Sequence, residues 1–149
     1  MKMEDFFPYQ LAVAAAHFSR RLEEVYRGEA GLSREEWRVL FLLADIETLT
    51  SKELSRRSSL DKVQISRAAQ RLERKGLLSG RAASSDRRLR DYTCTDSGRA
   101  LFRALLPRVD AQARQIFAKM TPEDMAALKK GVAALCIAAA PQKPGTENI

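Results

Sequence analysis

Three helix-start signatures in close succession restrict this chain more than any other feature. Ser33…Glu36, Thr50…Glu53 and Asp61…Gln64 each set a short polar side chain three residues before Glu or Gln. In that spacing the first residue caps the opening turn and the second reaches back to the cap's own N–H. Thr50 and Asp61 lie so close together that only one short helix, about Thr50 to Ser58, and a tight turn fit between them. Asp61 then opens a longer helix to Lys75, closed by Gly76 after the basic pair Arg74-Lys75. The expectation is helix, turn, helix in the middle of the chain.

Apolar spacing supplies the flanking elements. Phe7, Leu11, Ala14, Phe18, Leu22 and Val25 step by three and four, a helix of about five turns. Gly28 and Gly31 are expected to separate it from a second helix carrying Trp37, Leu40, Phe41 and Ala44. Leu77-Leu78 and Tyr92-Thr93-Cys94 flank a polar, Arg-rich stretch from Arg81 to Arg90, the pattern of a two-stranded hairpin with an exposed tip. Helical spacing resumes through Phe102, Leu105, Val109, Ala113, Ile116 and Met120, with Pro107 expected to kink that helix. A last helix starts at Thr121-Pro122 and carries Met125, Leu128, Val132, Leu135 and Ala139. That three-four rhythm suits a seam between helices of two chains, although an intrachain core stripe has the same spacing. The polar tail 141–149 is expected to be disordered.

Charge locates the partner. The 149 residues carry a net charge of +7. Between Ser51 and Asp91 there are twelve Lys/Arg against five Asp/Glu, so the whole excess lies in that segment and the flanks balance. A basic helix-turn-helix is the arrangement that lays one helix into a DNA major groove. With Ile65, Ala68, Ala69 and Leu72 turned inward, the opposite face of the Asp61–Lys75 helix offers Lys62, Val63, Gln64, Ser66, Arg67, Gln70, Arg71 and Arg74. Arg can bridge guanine O6 and N7, Gln can pair with an adenine edge, and the remaining cations can hold phosphates. Arg87, Arg88 and Arg90 at the hairpin tip supply cations for an adjacent groove or backbone. A merely solvated charged surface is the plainer alternative, weakened by the close-packing Ala68-Ala69 pair behind so many bases.

Other classes find less support. Two cysteines, Cys94 and Cys136, make no disulfide framework and suit a reducing cytoplasm. No Cys/His cluster has metal-ligand spacing, and no cofactor motif, nucleophile elbow or paired carboxylates with a His base is present, so neither a cofactor nor an enzyme is expected. No apolar run reaches the roughly 20 residues of a membrane span. A thiol-based redox sensor would need an accessible cysteine of lowered pKa, and both cysteines read as structural. A nonspecific architectural nucleic-acid binder stays open.

The order Thr50…Glu53-Leu54-Ser55, Asp61…Ile65-Ser66-Arg67, Leu72-Glu73-Arg74-Lys75-Gly76-Leu77, Asp86-Arg87-Arg88, then Thr95…Gly98 resembles the multiple-antibiotic-resistance regulator (MarR) family of bacterial winged-helix repressors. Motifs carry the resemblance from Leu32 to about Leu101. Cys94 departs from the pattern, standing where the family usually has Leu. The resemblance implies a mainly α (α+β) fold, a winged helix-turn-helix lobe with a helical dimerisation region. One domain spans 1–140, with the lobe at about 32–98 and dimerisation helices at about 6–27 and 96–140. It makes Ser66 and Arg67 recognition-helix contacts, Arg88 a wing residue aimed at the minor groove, and Asp86 a brace, set against Arg81. It implies an obligate homodimer on a palindromic double-stranded DNA operator, a repressor released by a small effector such as an aromatic acid or thioester. His17, Arg20, Arg21, Trp37 and Phe41 are the candidate effector contacts, each with an ordinary core or surface reading beside it.

Overall fold

The computed structural model describes residues 1–82 and 89–141. After a short 3-10 turn at Met3–Asp5, the elements run α1 (Phe7–Ala30), α2 (Arg34–Ala44), β1 (Leu49–Thr50), α3 (Ser51–Ser58), α4 (Lys62–Arg74), β2 (Leu78–Ala82), β3 (Arg90–Cys94), α5 (Asp96–Phe117) and α6 (Pro122–Ala138). The chain divides into two compact units, Met1–Gln112 and Ala113–Ile149. The hairpin tip, with the expected contacts Arg87 and Arg88 and the brace Asp86, lies outside the described residues, as does 142–149.

Helix starts follow the capping signatures. Thr50 and Asp61 each form a complete box, and Ser33 and Thr121 accept the Glu36 and Asp124 N–H groups. Two expectations at the edges change. Gly28 does not end α1, which continues to Ala30. The stop comes at Gly31, whose φ of 64° lets its own N–H turn back to the Arg27 carbonyl and the Leu32 N–H to the Tyr26 carbonyl. A third strand, β1, also joins the hairpin, giving an antiparallel sheet in the order β1-β3-β2 with Leu49 opposite Tyr92 and Leu78 opposite Cys94. α5 runs across Pro107 as one helix.

The first unit holds the core. Val39, Leu40 and Leu43 from α2, Leu54 from α3, and Ile65, Ala68, Ala69 and Leu72 from α4 are all buried. Each fully buried Leu or Ile stabilises the fold by about 1.5–3 kcal/mol. Trp37 stacks on Tyr26 of α1 at 5.1 Å between ring centroids and meets Phe102 of α5 at 5.3 Å. The start of α5 comes close enough to β2 that only glycine fits at Gly98, where a Cβ would stand 2.2 Å from the Leu77 carbonyl oxygen.

In the second unit, α6 is capped by Thr121 with Pro122 in its first turn. None of its side chains is buried: Leu128, Val132 and Leu135 are 39%, 47% and 46% exposed, and Ile137 more so.

Candidate nucleic-acid interface

The site begins at the cap of α3. Thr50 Oγ1 accepts the Glu53 N–H at 3.1 Å, and the Thr50 N–H donates to Glu53 Oε2 at 2.8 Å. That second bond holds the Glu53 carboxyl below its ordinary range. α3 ends at Ser59, whose φ of 59° reverses the chain. Serine side chains stitch this turn: Ser55 Oγ donates to the Leu60 carbonyl at 2.6 Å, and Ser58 Oγ accepts the Leu60 N–H at 3.2 Å. Leu60 is buried beneath it. Asp61 then opens α4, its Oδ1 accepting the Gln64 N–H at 2.8 Å while Gln64 Oε1 accepts the Asp61 N–H at 3.1 Å.

With its apolar stripe fully buried, α4 turns Lys62, Val63, Ser66, Arg67, Gln70 and Arg74 outward, all exposed. Five of them, Lys62, Val63, Ser66, Arg67 and Gln70, line a hollow of about 370 Å³. Gln64 is half-buried, and its carbonyl is occupied by the cap. A second hollow, about 260 Å³, is lined by Ser51 and Lys52 of α3, Lys62 and Ser66 of α4, and Leu89, Arg90 and Tyr92 at the base of the hairpin. Arg90 lies 3.8 Å from the Glu73 carboxylate and 6.0 Å above the Tyr92 ring, which ties the hairpin base to α4. Arg81 is exposed on β2 with Asp91 opposite it in register.

Behind this surface sits a buried ion cluster. Glu36 is 3% exposed; its Oε1 accepts from Arg71 Nε at 2.9 Å and its Oε2 from Lys75 Nζ at 2.6 Å. Lys75 also donates to the Gly31 carbonyl at 2.9 Å. A separate hollow of about 230 Å³ lies between α2 and α3, lined by Trp37, Arg38, Phe41, Leu42, Arg57 and Ser58.

Residues 30–89 match the sequence profile of the MarR family. Over that segment the chain is similar to the MarR family. No curated protein matches the chain in sequence. Solved structures share its fold over nearly its whole length. Sco3205 of Streptomyces coelicolor, a MarR family transcriptional regulator in complex with DNA, aligns at a TM-score of 0.82 with 23% identity, over 99% of this chain and 94% of its own. BpsR of Bordetella bronchiseptica, whose DNA binding is regulated by 6-hydroxynicotinic acid, aligns at 0.81 with 18% identity over 95% and 99%. CouR of Rhodococcus jostii RHA1, bound to p-coumaroyl-CoA, aligns at 0.77 with 20% identity over 96% and 99%.

The expected DNA-facing residues do not all fall together. Lys62, Val63, Ser66, Arg67, Gln70 and Arg74 share one exposed surface, with Arg90 beside its N-terminal end. Arg71 requires a correction: its guanidinium is turned to Glu36 instead of standing free with the others. The same contact corrects the reading of Ser33…Glu36 as a full capping box, because the Glu36 side chain leaves its cap to reach α4. Lys52 and Arg56 of α3, not singled out from the sequence, line a further hollow with Lys62. Both are exposed, and their spacing of four inside the basic segment was the available signal.

The five effector candidates also divide. Trp37 and Phe41 line the same hollow, together with Arg38 and Arg57, which sequence reasoning passed over. His17, Arg20 and Arg21 are exposed on α1 and do not line it; Arg21 lies 3.5 Å from Glu24. Cys94 is buried, its thiol directed to the Leu77 carbonyl at 3.7 Å and its pKa raised by that burial. Cys136, expected to be structural, is exposed on α6. Among the described residues no group of His, Cys, Asp and Glu could hold a metal ion, and no helix is long and apolar enough to cross a membrane.

Proposed function

We propose that this protein is a MarR-family transcriptional regulator, a homodimer that reads a palindromic double-stranded DNA operator and represses transcription until a small effector releases it. The observation that carries the reading is the outward row of α4. Val63, Ser66, Arg67 and Gln70 stand ready for base edges while Lys62, Arg74, Lys52, Arg56 and Arg90 surround them as phosphate contacts. The helix presenting them is capped at its start and seated on a fully buried face, so the side chains are offered in one orientation. Arg87 and Arg88 would extend the surface into the neighbouring groove, with Asp86 and Arg81 bracing that extension. Two half-sites one DNA turn apart require a two-fold partner, and the uncovered Leu128, Val132 and Leu135 of α6 offer the apolar face for it. This work is binding rather than catalysis, and its place is the bacterial cytoplasm.

For the effector, the hollow beside Trp37 and Phe41 supplies aromatic walls, and Arg38 and Arg57 supply cations for an acid group. The aromatic acid named for BpsR and the coumaroyl thioester named for CouR fit that chemistry. The test is selection of a preferred duplex from a random pool, followed by titration against that duplex and its scrambled form. A specific regulator prefers its operator by about 10³-fold or more. Equal affinity for both would replace this reading with a nonspecific architectural binder.

A further inference from the structure

Arg67, Arg71 and Arg74 step by four and three along α4 and so belong to one stripe. Arg67 and Arg74 are exposed with no ion pair among the described residues, but Arg71 is turned to Glu36, as is Lys75 one turn further on. The group that draws both is Glu36, the one buried charged side chain among the described residues. Its two oxygens are each committed to a different cation, at 2.9 and 2.6 Å. Arg71 and Lys75 themselves remain 42% and 36% exposed at the side chain, so neither needs its burial relieved to move outward.

Cations that reach phosphates strengthen binding to every duplex alike, because the phosphate backbone carries no sequence information. A carboxylate that keeps two cations away from the backbone therefore lowers binding to random DNA while leaving base contacts in place. We propose that Glu36 holds down sequence-independent DNA affinity from beneath the surface, by withholding Arg71 and Lys75 from the phosphate backbone and fixing the final turn of α4. Glu36 touches no DNA in this account; it is a positioning residue acting through its two cations. The inference rests on the DNA-binding reading above.

The experiment titrates wild type, Glu36→Gln, Arg71→Gln and Arg74→Gln against the selected duplex and its scrambled form at several salt concentrations, with thermal midpoints measured alongside. Glu36→Gln is expected to bind scrambled DNA several-fold tighter and to steepen the slope of log affinity against log salt by up to about 0.9 per freed cation. The selected duplex gains by the same factor, so the preference for it is unchanged. A tighter, more salt-sensitive complex is not what a loosened fold produces, so a structural role alone does not account for it. Arg71→Gln is expected to keep the wild-type slope on scrambled DNA, whereas Arg74→Gln flattens it. Unchanged or weaker scrambled binding by folded Glu36→Gln overturns the proposal. So does a flattening of about 0.9 per subunit by Arg71→Gln, which decides the matter alone if Glu36→Gln does not fold. Wild-type protein that binds no duplex removes the functional reading and this inference with it, while specific binding with unaltered slopes removes the inference only.

Discussion

α4 and α6 have the same apolar rhythm and opposite fates. Ile65, Ala68, Ala69 and Leu72 of α4 vanish beneath α2 and α3, whereas Leu128, Val132 and Leu135 of α6 stay on the outside. Periodicity says that a helix has a side to hide and does not say from what. α4 has its cover within the chain; for α6 the proposed cover is a second copy. The capping hydrogen bonds differ in the same direction. α4 opens with two reciprocal bonds and α6 with one, from the Asp124 N–H to Thr121 Oγ1 at 3.1 Å.

The most forceful way to break this contrast is to cut a leucine on each helix. Leu72→Ala should lower the unfolding free energy by about 2–5 kcal/mol, at every protein concentration. Leu135→Ala should act instead through association, its effect growing as the protein is diluted in urea titrations paired with sedimentation. Equal, concentration-independent losses would show that α6 is covered within its own chain. Next in size is Gly98→Ala, with an expected loss of about 1–3 kcal/mol, because the Leu77 carbonyl in its way is backbone and cannot swing aside. Arg67→Ala should leave stability untouched and cost about 1–3 kcal/mol on the selected duplex, with much less lost on its scrambled form. Equal losses on both would deny Arg67 a part in reading sequence. Among the caps, Thr50→Ala and Thr121→Ala should each cost about 1 kcal/mol, with Thr50 the more expensive because Glu53 loses its reciprocal partner too. The smallest effect is chemical: at concentrations that keep chains apart, a thiol reagent should modify Cys136 in the folded protein and Cys94 only on unfolding. Rapid reaction of Cys94 would mean that the strand holding it opens readily.

What the sequence made legible was local. A capping box needs four consecutive residues and an apolar stripe about ten, so the order of residues alone sufficed for the helix starts and the inward face of α4. Glu36 could not be read that way. Its partner Arg71 is 35 residues away, and nothing in Ser33-Arg34-Glu35-Glu36 shows that the carboxylate will abandon its cap. β1 escaped notice because two residues carry no period, and only pairing with Tyr92 and Asp91 makes Leu49-Thr50 a strand. Gly28 misled because glycine in a helix weakens it without ending it, by about 1 kcal/mol relative to Ala. In the hollow between α2 and α3, Trp37 and Phe41 stand out in the sequence as aromatics, while Arg57 arrives from α3, an element whose placement against α2 is a tertiary fact.

The junction at Thr95 has a consequence for how such a protein can change over generations. Thr95 Oγ1 donates to the Gly76 carbonyl at 2.7 Å and accepts the Gly98 N–H at 3.0 Å, while the Thr95 N–H bonds the Leu77 carbonyl at 3.2 Å. The end of α4, the entry to β2 and the opening turn of α5 thus share one knot of backbone groups. A mutation that re-aimed any one of them would strain the other two, so descendants cannot shift helix and hairpin separately to suit a new DNA sequence. Variation is steered to side chains that project from an unmoving frame. Divergent copies of this gene should explore new operators by exchanging residues such as 63, 66, 67 and 70 one at a time, while the backbone beneath them is inherited intact.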